Sequence, residues 1–261
     1  MAPAGPIALN EVDLLWTLGL LAFTVALATW QRLGLSGQML WAGFRAIVQL
    51  LVVGASLTLV FTLDNPWAVA LVLAVMSVIA AVVARNRMQI PGQKGLWIWG
   101  AITFSAALTL VYSLGLIIQP PVWYSPQYLI PLAGMVLGNA MNSATLAGER
   151  LGSLIRQSTQ EIETYLSLGA SPSQAIFAYR QAALRASLTP ILNQMLVVGL
   201  VSLPGMFTGQ VLAGSDPLNA ASYQILILFM ILLADLLSAL LVCQGIQRRF
   251  FNGAWQLLAD R

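Results

Sequence analysis

Few side chains in this 261-residue sequence could carry out chemistry, and those few lie inside long apolar runs. Histidine, the commonest general base and metal ligand, is absent, and Cys243 is the only cysteine, which excludes an internal disulfide. Asp235 lies in the last apolar run, with Ser238 close by. An ionisable residue inside a membrane is a candidate functional residue, although pairing with a neighbouring helix explains Asp235 equally well.

A second polar group interrupts the apolar run at 128–147. Asn139, Asn142 and Ser143 are spaced at i, i+3 and i+4, which places them on one face of a helix. Polar side chains in hydrocarbon are costly unless they pair with one another or line a watery cavity. The face therefore predicts a translocation pathway, with hydrogen bonding between helices as the alternative for each residue taken singly.

The apolar run at 191–212 is expected to complete this pathway. Pro204 and Gly205 should break or kink it, because proline removes a backbone hydrogen bond, and broken helices at membrane depth are buried or line a cavity. The other pathway candidates are Gln49, Met141, Gln194, Met195 and Met206. Thioethers suit soft metals, but methionine is also ordinary core filler. The sequence therefore predicts no metal site.

The composition is that of a polytopic membrane protein, since 59% of residues are apolar and 8% are charged. Seven runs are long enough to cross a bilayer, which takes about 20 residues. They are 12–30, 44–62, 66–84, 96–118, 128–147, 191–212 and 220–243. The predicted fold is all-α, with one transmembrane domain over residues 1–261 and a helical cytoplasmic region at about 149–190.

The charged residues in the segments that connect the apolar runs, here called joints, predict how the protein is oriented in the membrane. The 12 Lys and Arg residues all lie at alternate joints and in the C-terminal tail, whereas the opposite joints carry Glu11, Asp13, Asp64 and Asp216. Because basic loops stay inside, the N-terminus is expected outside the cell (inner) membrane and the C-terminus in the cytoplasm. The net charge of +3 is thus an orientation signal, and no nucleic-acid partner is expected.

The longest interruption of the apolar pattern, residues 161–190, carries explicit turn signals. Apolar residues at helical spacing predict a helix from about Glu149 to Leu168, and Gly169 then supplies the positive φ of a C-cap. Ser171 and Gln174 can form a capping box at the start of the next helix, with a proline in its first turn. We name residues 166–175 the elbow. It is expected to expose four residues for docking: Leu166, Leu168, Ala170 and Pro172.

Three segments resemble the bacterial iron-export ABC permeases and the related plant aluminium-sensitivity permeases. They are GMVLGNAMNSATLAGERL (134–151), SLGASPSQAI (167–176) and GLVSLPGMFTGQVLAGSDP (199–217). The run from Glu163 to Pro172 also resembles the coupling loop of ABC permeases, which plugs into a groove on the ATPase subunit. The coupling residues implied by this resemblance are Glu161, Glu163, Leu166, Leu168, Gly169, Ala170, Ser171, Pro172 and Gln174.

The resemblance implies the permease subunit of an ABC transporter, with two copies of this chain and two separate ATP-binding cassette subunits. The chain itself would then be no enzyme and bind no cofactor, because ATP and Mg²⁺ would belong to the partner. The implied export substrate is iron or a metal-linked small molecule. Two alternatives remain: a proton-coupled secondary transporter using Asp235, and a membrane enzyme, for which catalytic residues are scarce.

Overall fold

The computed structural model describes residues 10–63, 65–88 and 95–258, and over these ranges the protein is all-α. The helices are α1 (Glu11–Trp30), α2 (Ser36–Leu63), α3 (Pro66–Met88), α4 (Gly95–Tyr112), α5 (Pro126–Gln157), α6 (Thr159–Ser167), α7 (Pro172–Ala175), α8 (Phe177–Val197), α9 (Gly205–Leu212) and α10 (Pro217–Phe250), with a π-helical turn, Ser113–Ile118, after α4. Asp64, Lys94 and Arg261 lie outside the described residues.

Five of the seven predicted spans are unbroken helices that are long and apolar enough to cross a membrane. These are α2, α3, α4 with its π-helical turn, α5 and α10, and the apolar part of α1 is shorter, Leu15–Trp30. The predicted all-α polytopic membrane fold is confirmed. The run at 191–212 is divided between α8 and α9, and the eight residues of α9 rise only about 12 Å, too little to cross a bilayer alone.

The centre of the fold is the pair α5 and α10, which pack side by side through small residues. Ser143 Oγ donates to the backbone carbonyl oxygen of Asp235 at 3.1 Å, and Ser238 Oγ donates to that of Ala140 at 3.0 Å. Further along, a Cβ built on Gly148 would lie 3.4 Å from Ile246. Between the contact of Ala140 with Ser238 and that of Gly148 with Ile246, both helices advance by eight residues, so they run parallel and end at the same side.

The end of α3 and the start of α4 lie at the same side of the molecule as the ends of α5 and α10. A Cβ built on Gly148 would overlap the buried Met88 of α3, and one built on Gly245 would overlap the ring of Trp97 of α4. Trp97 Nε1 donates to the carbonyl oxygen of Leu241 at 2.8 Å. The basic side chains near the ends of α3, α5 and α10 are thereby gathered here: Arg85, Arg87, Arg150, Arg156, Arg248 and Arg249.

The two central helices are longer than a bilayer is thick. They contain 32 and 34 residues, which at 1.5 Å per residue gives about 48 and 51 Å, against about 30 Å of hydrocarbon. Charged side chains avoid hydrocarbon, so the C-terminal turns that carry Arg156 and Arg248 project beyond it. The elbow and the segment after α10 therefore lie outside the spans, at the end that the sequence predicts to be cytoplasmic.

We expect Gly148→Ala to lower the melting temperature of the purified protein. The methyl group would displace Met88 from a packed contact, and overpacking of this kind costs about 1–3 kcal/mol. Gly138→Ala in the same helix is the matched control, because a Cβ there meets nothing within 4 Å. Without a clash, alanine in a helix is stabilising by about 1 kcal/mol. Equal melting temperatures for the two variants would contradict the close packing at Gly148.

Candidate coupling elbow and membrane pathway

The elbow begins with the glycine turn that the sequence predicts. Gly169 has φ +89°, in the left-handed region, and its backbone N–H donates to the carbonyl oxygen of Leu166 at 3.0 Å. The N–H of Ala170 donates to the carbonyl oxygen of Tyr165, also at 3.0 Å. This pair of bonds is a Schellman motif, which satisfies the last carbonyl groups of α6 and reverses the chain.

The second half of the elbow is a capped single turn. Ser171 Oγ accepts from the backbone N–H of Gln174 at 3.4 Å, and Gln174 Oε1 accepts from the N–H of Ser171 at 2.8 Å. Pro172 occupies the first helical position, so the predicted capping box is confirmed. The following helix is not continuous, however, because Ile176 interrupts it between α7 and α8. Ile176 is fully buried and anchors the elbow in the core.

The single helix predicted from Glu149 to Leu168 is wrong in one respect. Its first half continues α5, and Ser158 (φ −115°, ψ 27°) separates it from α6. Ile155 and Ile162 on either side of this break are both fully buried. The bend therefore lets both helices keep an apolar face against the core, which a straight helix leaving the bundle could not do.

The elbow exposes fewer side chains than expected. Leu168 is 79% exposed, whereas Leu166, Ala170 and Pro172 are half-buried. Leu166 packs against the main core, whose neighbouring members include Leu257 from the segment after α10. The prediction placed Leu166 on an open surface because it did not include that segment.

Two long-range hydrogen bonds brace the elbow. Glu161 Oε2 accepts from the hydroxyl group of Tyr179 at 2.6 Å, which ties α6 to α8; burial and this bond raise the pKa of the Tyr179 hydroxyl. Gln247 Nε2 of α10 donates to Ser173 Oγ at 2.6 Å. Glu163 is exposed, and no described side chain pairs with its carboxylate. Both predicted acidic coupling residues are exposed, but only the carboxylate of Glu163 is left without a described partner.

The predicted polar face of α5 divides into three environments. Ser143 is buried and its hydroxyl group contacts the backbone of α10 at Asp235. Asn139 is half-buried and its Nδ2 donates to the carbonyl oxygen of Met135 in its own helix at 2.8 Å. Asn142 is exposed and has no hydrogen-bond partner among the described residues. Ser143 therefore joins helices, and Asn142 is the amide free to meet another molecule.

The break in the segment 191–212 is confirmed and is longer than predicted. Helix α8 ends at Val197, Gly199 adopts φ +79°, and α9 starts after Pro204. The methionines Met141, Met195 and Met206 are half-buried against the main core, Pro204 is half-buried, and Gln194 and Gly205 are exposed. The prediction used only Pro204 and Gly205 to place the break. Gly199 is the sequence signal that marks its earlier start.

Gln49 is not brought to the other pathway candidates. It lies on α2, a helix that is almost entirely exposed in the single chain. With the Gln49 side-chain amide oriented so that its oxygen faces Arg45, this oxygen accepts a hydrogen bond from Arg45 Nε at 3.0 Å. The spacing of the two residues is i, i+4, so this is a local pair on one helix. The structure accounts for Gln49 as a partner of Arg45.

Asp235 is buried between α10 and its neighbours, with 4% of its surface exposed. Its backbone carbonyl oxygen accepts from Ser143 and Ser238, whereas its side-chain Oδ1 has no hydrogen-bond partner among the described residues. In the same described part of the chain, no three His, Cys, Asp or Glu side chains lie together in a group that could hold a metal ion. Asp235 is thus a single buried carboxyl group.

The chain is similar to known proteins over nearly its whole length. The chain is 62% identical over 254 residues to the UPF0014 membrane protein slr1647 of Synechocystis, covering 97% of this chain and 98% of that protein. It is 35% identical to the probable iron export permease protein FetB of Escherichia coli, with 97% and 96% coverage. It is 32% identical to the protein ALUMINUM SENSITIVE 3 of Arabidopsis thaliana, with 89% and 84% coverage. No solved structure matches the chain.

The match to a family profile covers the helices that form the bundle, the elbow and the broken segment. It extends over residues 11–251, from the start of α1 to the residue after α10. The relatives named above are similarly matched over most of their length. The chain therefore belongs to the Uncharacterised protein family UPF0014, whose named relatives include membrane proteins and a permease.

Proposed function

We propose that this chain is the permease subunit of an ABC transporter, driven by a separate ATP-binding cassette subunit. The observation that carries the proposal is the elbow: a Schellman turn at Gly169 followed by the capped single turn α7. The elbow projects beyond the bilayer and is joined through α6 to α5, which spans the membrane. Movement of the elbow can therefore reach the pathway residues on α5.

The proposed substrate is iron or a metal-linked small molecule, exported from the cytoplasm. The support for iron is the name of one relative, the probable iron export permease protein FetB. The support from the site is chemical: Asn142 offers an exposed amide, and Met141 and Met195 lie at neighbouring helices with their thioethers half-buried. Neutral amide and thioether groups would bind such a substrate weakly, which permits its release during transport.

We also propose that two copies of the chain enclose the pathway. Asn142 on α5 and Gln194 on α8 are exposed in the single chain. Around the break, Leu200 and Val201 are exposed at 86% and 85%. An unpaired amide facing lipid is costly, whereas the same amide facing a second copy across a watery pathway is satisfied. A second copy packed against α8 and α9 would cover both kinds of side chain.

The proposed topology places the N-terminus outside and the elbow in the cytoplasm of the inner membrane. In a background lacking Cys243, single cysteines at positions 160 and 255 should react with a membrane-impermeant thiol reagent only after the cells are opened. A cysteine at position 123 should react in intact cells. The native residues at the three positions are all exposed in the single chain. A failure to label therefore reports the side of the membrane on which the cysteine lies, and not its burial in the protein. Labelling of positions 123 and 160 from the same side would contradict the topology.

Co-purification tests the energy source. We expect the tagged permease in mild detergent to retain an ATP-binding cassette subunit, and the reconstituted complex to hydrolyse ATP faster than that subunit alone. Transport into vesicles should stop when ATP is removed. If no such subunit is retained and transport survives ATP depletion, the proposal fails.

One observation favours a second candidate function, a proton-coupled secondary transporter. The side chain of Asp235 is buried with Oδ1 unpaired among the described residues, as expected of a carboxyl group that exchanges a proton. This candidate predicts that a protonophore abolishes transport while ATP depletion does not. The ABC proposal predicts the reverse, so the same vesicle experiment separates the two.

A further inference from the structure

The chain folds back on the elbow immediately after α10. Phe251 and Leu257 form an antiparallel bridge, and the backbone N–H of Leu258 donates to the carbonyl oxygen of Phe250 at 2.7 Å. Phe250 and Phe251 are buried, and Leu257 packs against the main core. We name residues 250–258 the C-terminal hairpin. Its two ends are fixed to the body of the protein and its tip is free.

The side chain of Asn252 organises this tip. Its Oδ1 accepts from the backbone N–H groups of Ala254 at 3.0 Å and Gln256 at 2.9 Å, and its Nδ2 donates to Gln256 Oε1 at 2.8 Å. Between them, Trp255 adopts φ +62°, a left-handed conformation that bulky residues rarely adopt. Strained backbone of this kind persists only where the surroundings enforce it, and it concentrates at functional positions.

The strained residue is a tryptophan that faces solvent. Trp255 is 56% exposed although the hairpin around it is anchored, and it lies beyond the spans, where lipid tails do not cover it. Leu168 at the elbow is also exposed, at 79%. Exposed apolar side chains on the spans contact lipid, whereas these two lie beyond the spans, where a protein partner can cover them.

A groove of about 640 Å³ lies between the elbow and the C-terminal hairpin. One wall belongs to α6 and the elbow, and the other to the C-terminal hairpin. The residues that line it are Glu163, Leu166, Ser167, Ala170, Ala254, Trp255, Gln256, Leu257 and Leu258. Glu163 is exposed, and its carboxylate is the one charged group among these lining residues.

We propose that the C-terminal hairpin forms the second half of the docking surface for the ATPase subunit, with Trp255 as its anchor. This inference rests on the proposed function. The groove has Leu166 and Ala170 of the elbow on one wall and Trp255 on the other, so a subunit that docks in it contacts the elbow and Trp255 together. The partner surface that fits has an apolar pocket for the indole ring and a basic side chain for Glu163. Tryptophan is one of the residues enriched at binding hot spots.

The test is the affinity of the purified ATPase subunit for the full-length permease in nanodiscs. Trp255→Ala is expected to weaken binding by about tenfold or more, the range of an aromatic anchor. Asn252→Ala keeps the indole ring but removes the bonds that hold the tip, so it should weaken binding too. Trp123→Ala is the matched control, because Trp123 is also an exposed tryptophan, at 71%, but lies on the predicted outer side. It should bind like the wild type.

The outcomes separate this inference from the proposed function. If Gly169→Val loses affinity while Trp255→Ala and Asn252→Ala bind like the wild type, the elbow docks without the hairpin and the inference is overturned. If the wild-type permease itself binds no ATPase subunit, the proposed function fails and the inference with it. If Trp255→Ala disrupts only the association of two permease copies, the groove belongs to a second copy and the inference is again overturned.

Discussion

If the chain drives a separate ATPase subunit as proposed, replacing Gly169 with valine is expected to abolish the stimulated ATP hydrolysis while the protein still inserts into the membrane. Gly169 has φ +89°, and a Cβ built on it meets nothing within 4 Å. The penalty is therefore backbone strain, about 1–2 kcal/mol for a side chain in this region and more for a β-branched one. Relief of that strain breaks the Schellman motif and turns α7 away from the partner.

The measurement is the ATPase activity of the reconstituted complex beside that of the ATPase subunit alone, at matched amounts of inserted permease. Gly54→Val is the control, since Gly54 is exposed on α2 and likewise has no neighbour within 4 Å, but has an ordinary helical φ. Gly169→Asn should retain part of the stimulation, because asparagine tolerates the left-handed region. If Gly169→Val stimulated ATP hydrolysis as fully as the wild type, the elbow would have no role in coupling.

Asn142→Leu is expected to reduce transport by about tenfold or more while leaving the complex assembled. The native amide is exposed and has no partner among the described residues, so it contributes little to the stability of the single chain. A leucine there would place an apolar side chain in the proposed watery pathway and remove one polar contact to substrate, worth about 1–3 kcal/mol. Asn139→Leu should also impair transport, but less, because that amide is already bonded to Met135.

Transport per assembled complex is the quantity to compare, with assembly measured separately by size-exclusion chromatography in detergent. A loss of assembly with unchanged transport per surviving complex would identify Asn142 as an interhelical contact. Ser143→Ala is a useful reference for that outcome. Its hydroxyl group already bonds the backbone of α10, so its loss should affect stability first.

The elbow could be predicted because its physics is local. Positive φ at Gly169 and the capping box of Ser171 and Gln174 depend on bonds between residues three to five positions apart. Each of these expectations is confirmed. The break before Gly205 could also be predicted, because Pro204 has no backbone N–H to continue the helical hydrogen bonds.

Features that depend on distant parts of the chain could not be predicted. The bend at Ser158 follows from keeping Ile155 and Ile162 in one core, and the burial of Leu166 follows from the return of the C-terminal hairpin. The bond between Glu161 and Tyr179 joins residues 18 positions apart. Helical spacing gives the face of a residue on its own helix, but it does not say which neighbour covers that face.

The C-terminal hairpin is an intermediate case. Asn252 followed by Gly253 is a typical turn signal, and it was visible in the sequence as an interruption after two arginines and two phenylalanines. What the signal does not contain is the location of the turn. Only the packing of Phe251 and Leu257 brings it to the side of the elbow.

The uninterrupted length of α5 makes it a lever. One rigid rod runs from Pro126 to Gln157, and a tilt of about 5° around its midpoint moves its two ends by about 2 Å in opposite directions. A push on the inner end would therefore widen one mouth of the proposed pathway as it narrows the other, while the midpoint of the helix stays in place. A transporter built on such a rod needs no separate gate at the far side, because a single rotation serves both.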